Sequence, residues 1–138
     1  MNVLVIDGQG GQLGSQLIRA LRSRHENLSI TAVGTNATAA AAMMKAGANA
    51  AASGENPVMV ACRKADVIVG PVGIVIADAM LGEITEKMAV AVGRADAARI
   101  FIPMNRCDTL VAGVADRPMG ELIEDAVRRI VDLSKKAD

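Results

Sequence analysis

Residues 3–24 read V-L-V-I-D-G-Q-G-G-Q-L-G-S-Q-L-I-R-A-L-R-S-R, and the fold follows from how they are parsed. Val3-Leu4-Val5-Ile6 is a short apolar run that stops at Asp7-Gly8. Glycines stand at 8, 10, 11 and 14, and then Leu13, Leu17, Ile18 and Leu21 recur at helical spacing. The parse is strand, glycine loop, helix. Such a unit aims the free N–H groups and the positive dipole end of its helix at the strand's carboxyl end. Gly8, Gly11 and Gly14 fit G-x-x-G-x-x-G. The dinucleotide pattern G-x-G-x-x-G fits only in part, because Leu13 holds the third glycine's place.

Outward from this unit, strands and helices alternate. Leu28 to Val33 reads as a second strand ending at Gly34-Thr35-Asn36. Ala37 to Ala46 reads as an alanine-rich helix stopped by Gly47. Asn49 to Ala52 is a weak third strand, and Pro57 to Lys64 a short helix. Asp66 to Gly70 has the continuous β-branched run of a strand buried on both faces. Ile74 to Leu81 is apolar apart from Asp78 and fits a strand or a buried helix, its last residues favouring helix. Ile84 to Arg94 is a helix, Arg99 to Pro103 a fifth strand, and Thr109 to Ala112 a short sixth at the edge. Pro118 to Lys136 carries one apolar stripe, with acids early and bases late. The pattern predicts a three-layer α/β/α fold. Its doubly wound parallel sheet has about five strands, ordered 3-2-1-4-5, plus the added edge strand.

Composition excludes several function classes. A chain of 138 residues is read as one domain, residues 1–138, long enough for a sizeable core. Lys+Arg and Asp+Glu balance at 15 each, so no basic field points to nucleic acid or anionic lipid. Phe101 is the one aromatic residue, which removes base-stacking platforms. Cys62 and Cys107 are too few for a disulfide framework. No secretory leader or membrane-length apolar run is evident, so a cytoplasmic setting is expected. Hydrophobic residues make up 51% of the chain, more than a small core needs, which points to a homo-oligomer.

In open α/β sheets, ligands bind beyond the carboxyl ends of the strands where strand order reverses. The first five strands end in Asp7-Gly8, Gly34-Thr35-Asn36, Ser53-Gly54-Glu55, Gly70-Pro71-Val72-Gly73 and Asn105-Arg106. A phosphate is expected on the loop of Gly8, Gln9, Gly10, Gly11 and Gly14, with Gly34, Thr35 and Asn36 facing a sugar. Pro71, Gly73 and Asn105 would close the pocket. Thr35 and Asn36 read equally well as a helix N-cap. No acid ends the second strand to hold ribose hydroxyls, and no arginine stands there for a 2′-phosphate. NAD(P) is therefore no better supported than another nucleotide or a small phosphorylated ligand. Asp7 reads first as a brace for the loop backbone and second as a Mg²⁺ ligand. His25 lies at the far end of the first helix. Cys107 beside Arg106 reads as inert rather than nucleophilic, and Glu55 and Glu83 as rim carboxylates without a visible partner. No Ser–His pair, metal cluster or P-loop lysine is present, and the lack of tyrosine excludes a Tyr–Lys hydride site. On these terms Gly11→Val should abolish binding and leave folding nearly intact.

Seven strings together, V-I-D-G-Q-G-G, G-T-N-A-T-A, K-A-G-A-N-A, S-G-E-N, G-P-V-G-I-V-I-A, M-L-G-E-I-T and I-P-M-N-R-C, span nearly the whole chain. In them the sequence resembles a small bacterial family that carries only a domain-of-unknown-function label. The resemblance implies a Rossmann-like domain and assigns no activity, cofactor or catalytic residue. Three functions stay open. One is a nucleotide-binding protein, whose enzymatic use would need a neighbouring subunit to complete the substrate side. The others are a ligand-sensing regulatory module and a structural oligomer with an unused loop.

Overall fold

The computed structural model describes residues 1–104 and 109–137. Among the described residues five parallel strands alternate with five α-helices: β1 (Asn2–Asp7), α1 (Gln12–Arg24), β2 (Ser29–Gly34), α2 (Ala37–Ala46), β3 (Ala50–Ser53), α3 (Glu55–Lys64), β4 (Val67–Pro71), α4 (Glu86–Arg94), β5 (Ala98–Ile102) and α5 (Met119–Ala137). The sheet runs β3-β2-β1-β4-β5, the order that the alternation predicts. Successive side chains of a strand point to opposite faces, so each central strand feeds two cores. Val3 and Val5 of β1 join Ile30, Val67 and Val69 beneath α1, α2 and α5. Leu4 and Ile6 join Val33 and Ile68 beneath α3 and α4.

Local signals set most element ends. Asn36 caps α2 by accepting a hydrogen bond from the Ala39 N–H, and Gly47 ends it at φ 124°. Thr85 caps α4 in the same way through the Met88 N–H. On α5, Ile123, Val127 and Ile130 form the buried stripe that the spacing predicts. Each such side chain contributes roughly 1.5–3 kcal/mol on full burial.

Two expectations are corrected. Thr109 to Ala112 forms no strand, so β5 stays an edge of the sheet. Leu110 and Val111 stand exposed there, and Gly113 turns the chain at φ 82° before any pairing can run. Ile74 to Leu81 is neither strand nor α-helix. A 3₁₀ turn, Val72–Val75, buries Ile74, and a tight sequence of turns follows as far as Glu83. The reason is backbone sign: Asp78, Met80 and Leu81 all take positive φ (68°, 59° and 57°), which neither regular element allows.

Leu81 is 97% exposed in this left-handed conformation. Relief of the left-handed cost, about 1–2 kcal/mol, outweighs the extra chain entropy of glycine, about 0.5–1 kcal/mol. Leu81→Gly should therefore raise the denaturation midpoint by the equivalent of about 0.5–1 kcal/mol at unchanged m-value. A lower midpoint would mean that the Leu81 side chain makes stabilising contacts.

Candidate functional site

The sheet register builds the rim. Asp7 pairs with Gly34 at the ends of β1 and β2, and the Thr35 N–H donates to the Asp7 carbonyl at 3.0 Å. The β1–α1 and β2–α2 loops therefore rise side by side from one level of the sheet. Gly34 is packed against α2, where a Cβ would come within 2.5 Å of the Ala40 nitrogen.

Asp7 braces the glycine loop, as the first reading of that residue expects. Its carboxylate accepts from the Gly8 N–H and the Gly14 N–H, each at 2.8 Å. Gly14 lies in the first turn of α1, and the N-cap residue, Gly11, has no side chain to offer. The strand thus supplies the cap that the helix lacks. Burial pushes the Asp7 carboxyl above its ordinary range, the amides of Gly14 and Gly8 pull against that, and the charge of Glu83 adds to the rise. An amide expected to meet a phosphate is already engaged by the protein's own carboxylate.

A second carboxylate sits on the other side of the loop. Glu83 Oε1 accepts from Thr35 Oγ1 at 2.6 Å, Asn36 Nδ2 at 2.6 Å and the Gln9 N–H at 3.0 Å. Asn36 Nδ2 also donates to the Gln9 carbonyl at 2.9 Å, while Asn36 Oδ1 caps α2. The cap and the polar contact thus use opposite ends of one amide. Burial tends to raise the Glu83 carboxyl, but donors from Thr35, Asn36 and Gln9 more than offset it and hold it below its ordinary value. The carboxylate is ionised, so this three-donor cradle holds a negative charge.

The rim gathers some of the expected residues and leaves others aside. Gly8, Gln9, Thr35 and Asn36 meet at the cradle, while Gly34 serves packing against α2. Gly8 lies under Met80 Sδ and Thr35 Oγ1, which a Cβ would approach to 2.6 and 2.7 Å. Gly11 serves helix packing, its Cβ direction ending 2.8 Å from the Ala39 Cα. Gly14 is pressed in the same way against Met43 and Asp7. Gly10 stands exposed, with Gln12 Cγ its one neighbour at 4.0 Å. Pro71 is buried at the end of β4, and Gly73 faces Ala79 and the Met80 methyl, so Gly73 supports the segment that covers Gly8. Asn105, and with it Arg106, Cys107 and Asp108, lies outside the described residues.

Glu83 is the residue whose partners local pattern does not reveal. The available signal was complementarity: Thr35-Asn36 supply donors with no acid beside them, and an acid with no partner stands at 83. Elsewhere, Cys62 is a free buried thiol that burial pushes up to about 11, far from a reactive thiolate. Among the described residues no group of acids, cysteines and histidine is placed to hold a metal ion. None of their helices is long and apolar enough to cross a membrane.

A family model described as domain of unknown function DUF3842 matches residues 2–135. No curated protein matches the chain. The structure is similar to that of a dodecameric FMN-dependent UbiX-like decarboxylase from Escherichia coli O157:H7. The TM-score is 0.56 at 14% identity, over 98% of this chain and 95% of the other. At that identity the likeness concerns the fold, a Rossmann-like three-layer arrangement.

Proposed function

Since the chain belongs to the DUF3842 family, a domain of unknown function, we propose its activity from its own residues: binding of a small phosphate-bearing ligand, a flavin mononucleotide or similar nucleotide, at the rim between β1 and β2. The observation that carries this reading is the convergence of three donors on one anionic oxygen, from Gln9, Thr35 and Asn36. A phosphate oxygen asks for the same set. The cradle differs from the site expected at the mouth of α1, because Asp7 has claimed the Gly14 amide there.

Two points favour a mononucleotide over NAD(P). The donors at the end of β2 offer no free acid for a pair of ribose hydroxyls, and a protein of similar fold is FMN-dependent. The residues fit a phosphate once the Glu83 carboxylate leaves the cradle, with Gln9, Thr35 and Asn36 holding it. A bound flavin would supply a redox-active ring; the chain's part is to seat and orient its phosphate. The same neighbour is dodecameric, and Leu81, Leu110, Val111 and Val114 are exposed on this chain. Self-association belongs to the proposal.

Titration calorimetry with FMN, NADP, AMP and inorganic phosphate tests it. FMN should bind saturably, and Thr35→Val and Asn36→Ala should each weaken it about tenfold, as expected for loss of one charge-assisted hydrogen bond. Asn36→Ala also loses the α2 cap, so Thr35→Val is the cleaner variant. Absence of binding by all four ligands would remove the function and leave the fold.

A further inference from the structure

We infer that the segment between Ile76 and Thr85 is a lid and that Glu83 is its latch, an internal anion that occupies the cradle and must be displaced before a ligand can enter. The inference rests on the binding function proposed above and adds a self-inhibitory contact to it.

The segment is a turn closed on itself. Its neck is closed by the Asp78 N–H donating to the Ile84 carbonyl (2.8 Å) and the Ile84 N–H to the Ala79 carbonyl (3.2 Å). The tip is closed by the Gly82 N–H on the Asp78 carbonyl and the Glu83 N–H on the Met80 carbonyl, both at 3.1 Å. The tip bonds lie within residues 78–83 and survive a swing of the tip, whereas the neck bonds tie it to the buried Ile84 and mark the hinge. The turn 78–83 hangs between two buried posts, Ile74 and Ile84, each 1% exposed, and Thr85 is fixed as the α4 cap. The tip meets the rim through Glu83 on the cradle and Met80 over Gly8, and Ala79 and Met80 rest half-buried on the core beside Ile74 and Ile84, a contact that opening gives up. Leu81 beyond them is fully in solvent. Four positive-φ residues, Asp78, Met80, Leu81 and Gly82, hold the tip in a conformation that presents Glu83 inward. Opening also moves a carboxylate away from Asp7, whose buried charge it opposes.

A tethered carboxylate competes with free ligand at an effective concentration of order millimolar. Removing it should therefore tighten binding of any ligand that uses the same donors. The test is calorimetric titration of FMN and inorganic phosphate into the wild type, Glu83→Gln and Glu83→Ala, with exchange of the Gln9 amide followed by NMR. Glu83→Gln guards against a general loosening of the loop, since it keeps the shape and removes the charge. The expected result is binding at least tenfold tighter in Glu83→Ala, intermediate in Glu83→Gln, and faster Gln9 exchange in unliganded Glu83→Ala. Equal affinity in all three proteins would overturn the latch and leave the site standing. Weaker binding in Glu83→Ala would also overturn it, by making Glu83 part of the site. Failure of every protein to bind either ligand would remove the binding function itself, and the latch with it.

Discussion

Gly11→Val is expected to lower the unfolding free energy by about 3–5 kcal/mol, a large part of the 5–15 kcal/mol typical of a small fold. Two costs add. Gly11 sits at φ 72°, a conformation that costs an L-residue about 1–2 kcal/mol and a β-branched one more. Its Cβ would also lie 2.8 Å from the Ala39 Cα and 2.9 Å from the Ala39 carbonyl oxygen. Those are backbone atoms of α2, which cannot rotate away as a side chain would, so α1 and α2 must separate. The sequence alone suggests the opposite, a loop glycine whose replacement empties a ligand site and spares the fold. Gly10→Ala is the matched control, with 4.0 Å to its one neighbour; it should cost no more than about 0.5 kcal/mol. Urea denaturation of the pair decides the matter, and a Gly11→Val midpoint equal to wild type would refute the packing role.

The second large effect is at Asp7. Leucine keeps the branching and the number of side-chain heavy atoms, so Asp7→Leu removes the acceptors, although its methyls are bulkier than carboxylate oxygens and add some crowding. The amides of Gly8 and Gly14 would then face methyl groups. Each unsatisfied buried amide costs about 1–3 kcal/mol, and relief of a buried charge offsets part of that. The net loss should be about 2–4 kcal/mol. Its pH dependence has a definite sign. Burial raises the Asp7 pKa in the folded state, so this group's contribution is complete below its ordinary value of 3.8 and is lost as pH rises through the folded value. The gap between wild type and Asp7→Leu should therefore be widest in acid and narrow toward neutrality. Glu83 works the other way: its contribution is present above 4.5 and is lost as pH falls through its lowered folded value. Denaturation of both proteins across pH 3 to 7 separates the two carboxylates. A gap that widens with rising pH would reverse the assignment for Asp7.

What could be read in advance was what neighbouring residues decide. The β1–loop–α1 unit was legible because strand, glycines and apolar spacing lie within 22 residues. The bounds of α2, Ala37–Ala46, came out as expected because Asn36 and Gly47 each end the helix by local chemistry. Strand order follows from alternation taken with right-handed crossovers. Two stretches misled for physical reasons. At 74–81 the apolar residues are real core or cover, Ile74 and Met80 among them, but non-glycine residues in the left-handed region leave no mark in composition. At 109–112 the residues suit a strand, yet pairing depends on a neighbouring edge that no short window contains. The cradle was half legible. Thr35 and Asn36 read as site or cap, and Asn36 does serve as the cap. The oxygen they hold arrives from Glu83, 47 and 48 residues further on, a separation that pattern cannot bridge.

Pairing of Asp7 with Gly34 has an evolutionary corollary. Each added residue advances an extended chain by roughly 3.3 Å, more than the length of the contacts to Glu83. A one-residue insertion or deletion ahead of Gln9 or Thr35 would therefore pull the donors apart, whatever side chains remained. Relatives that recognise different molecules should keep both loop lengths fixed and diversify by substitution at 35, 36 and 83, or in the far more forgiving stretch around Leu81.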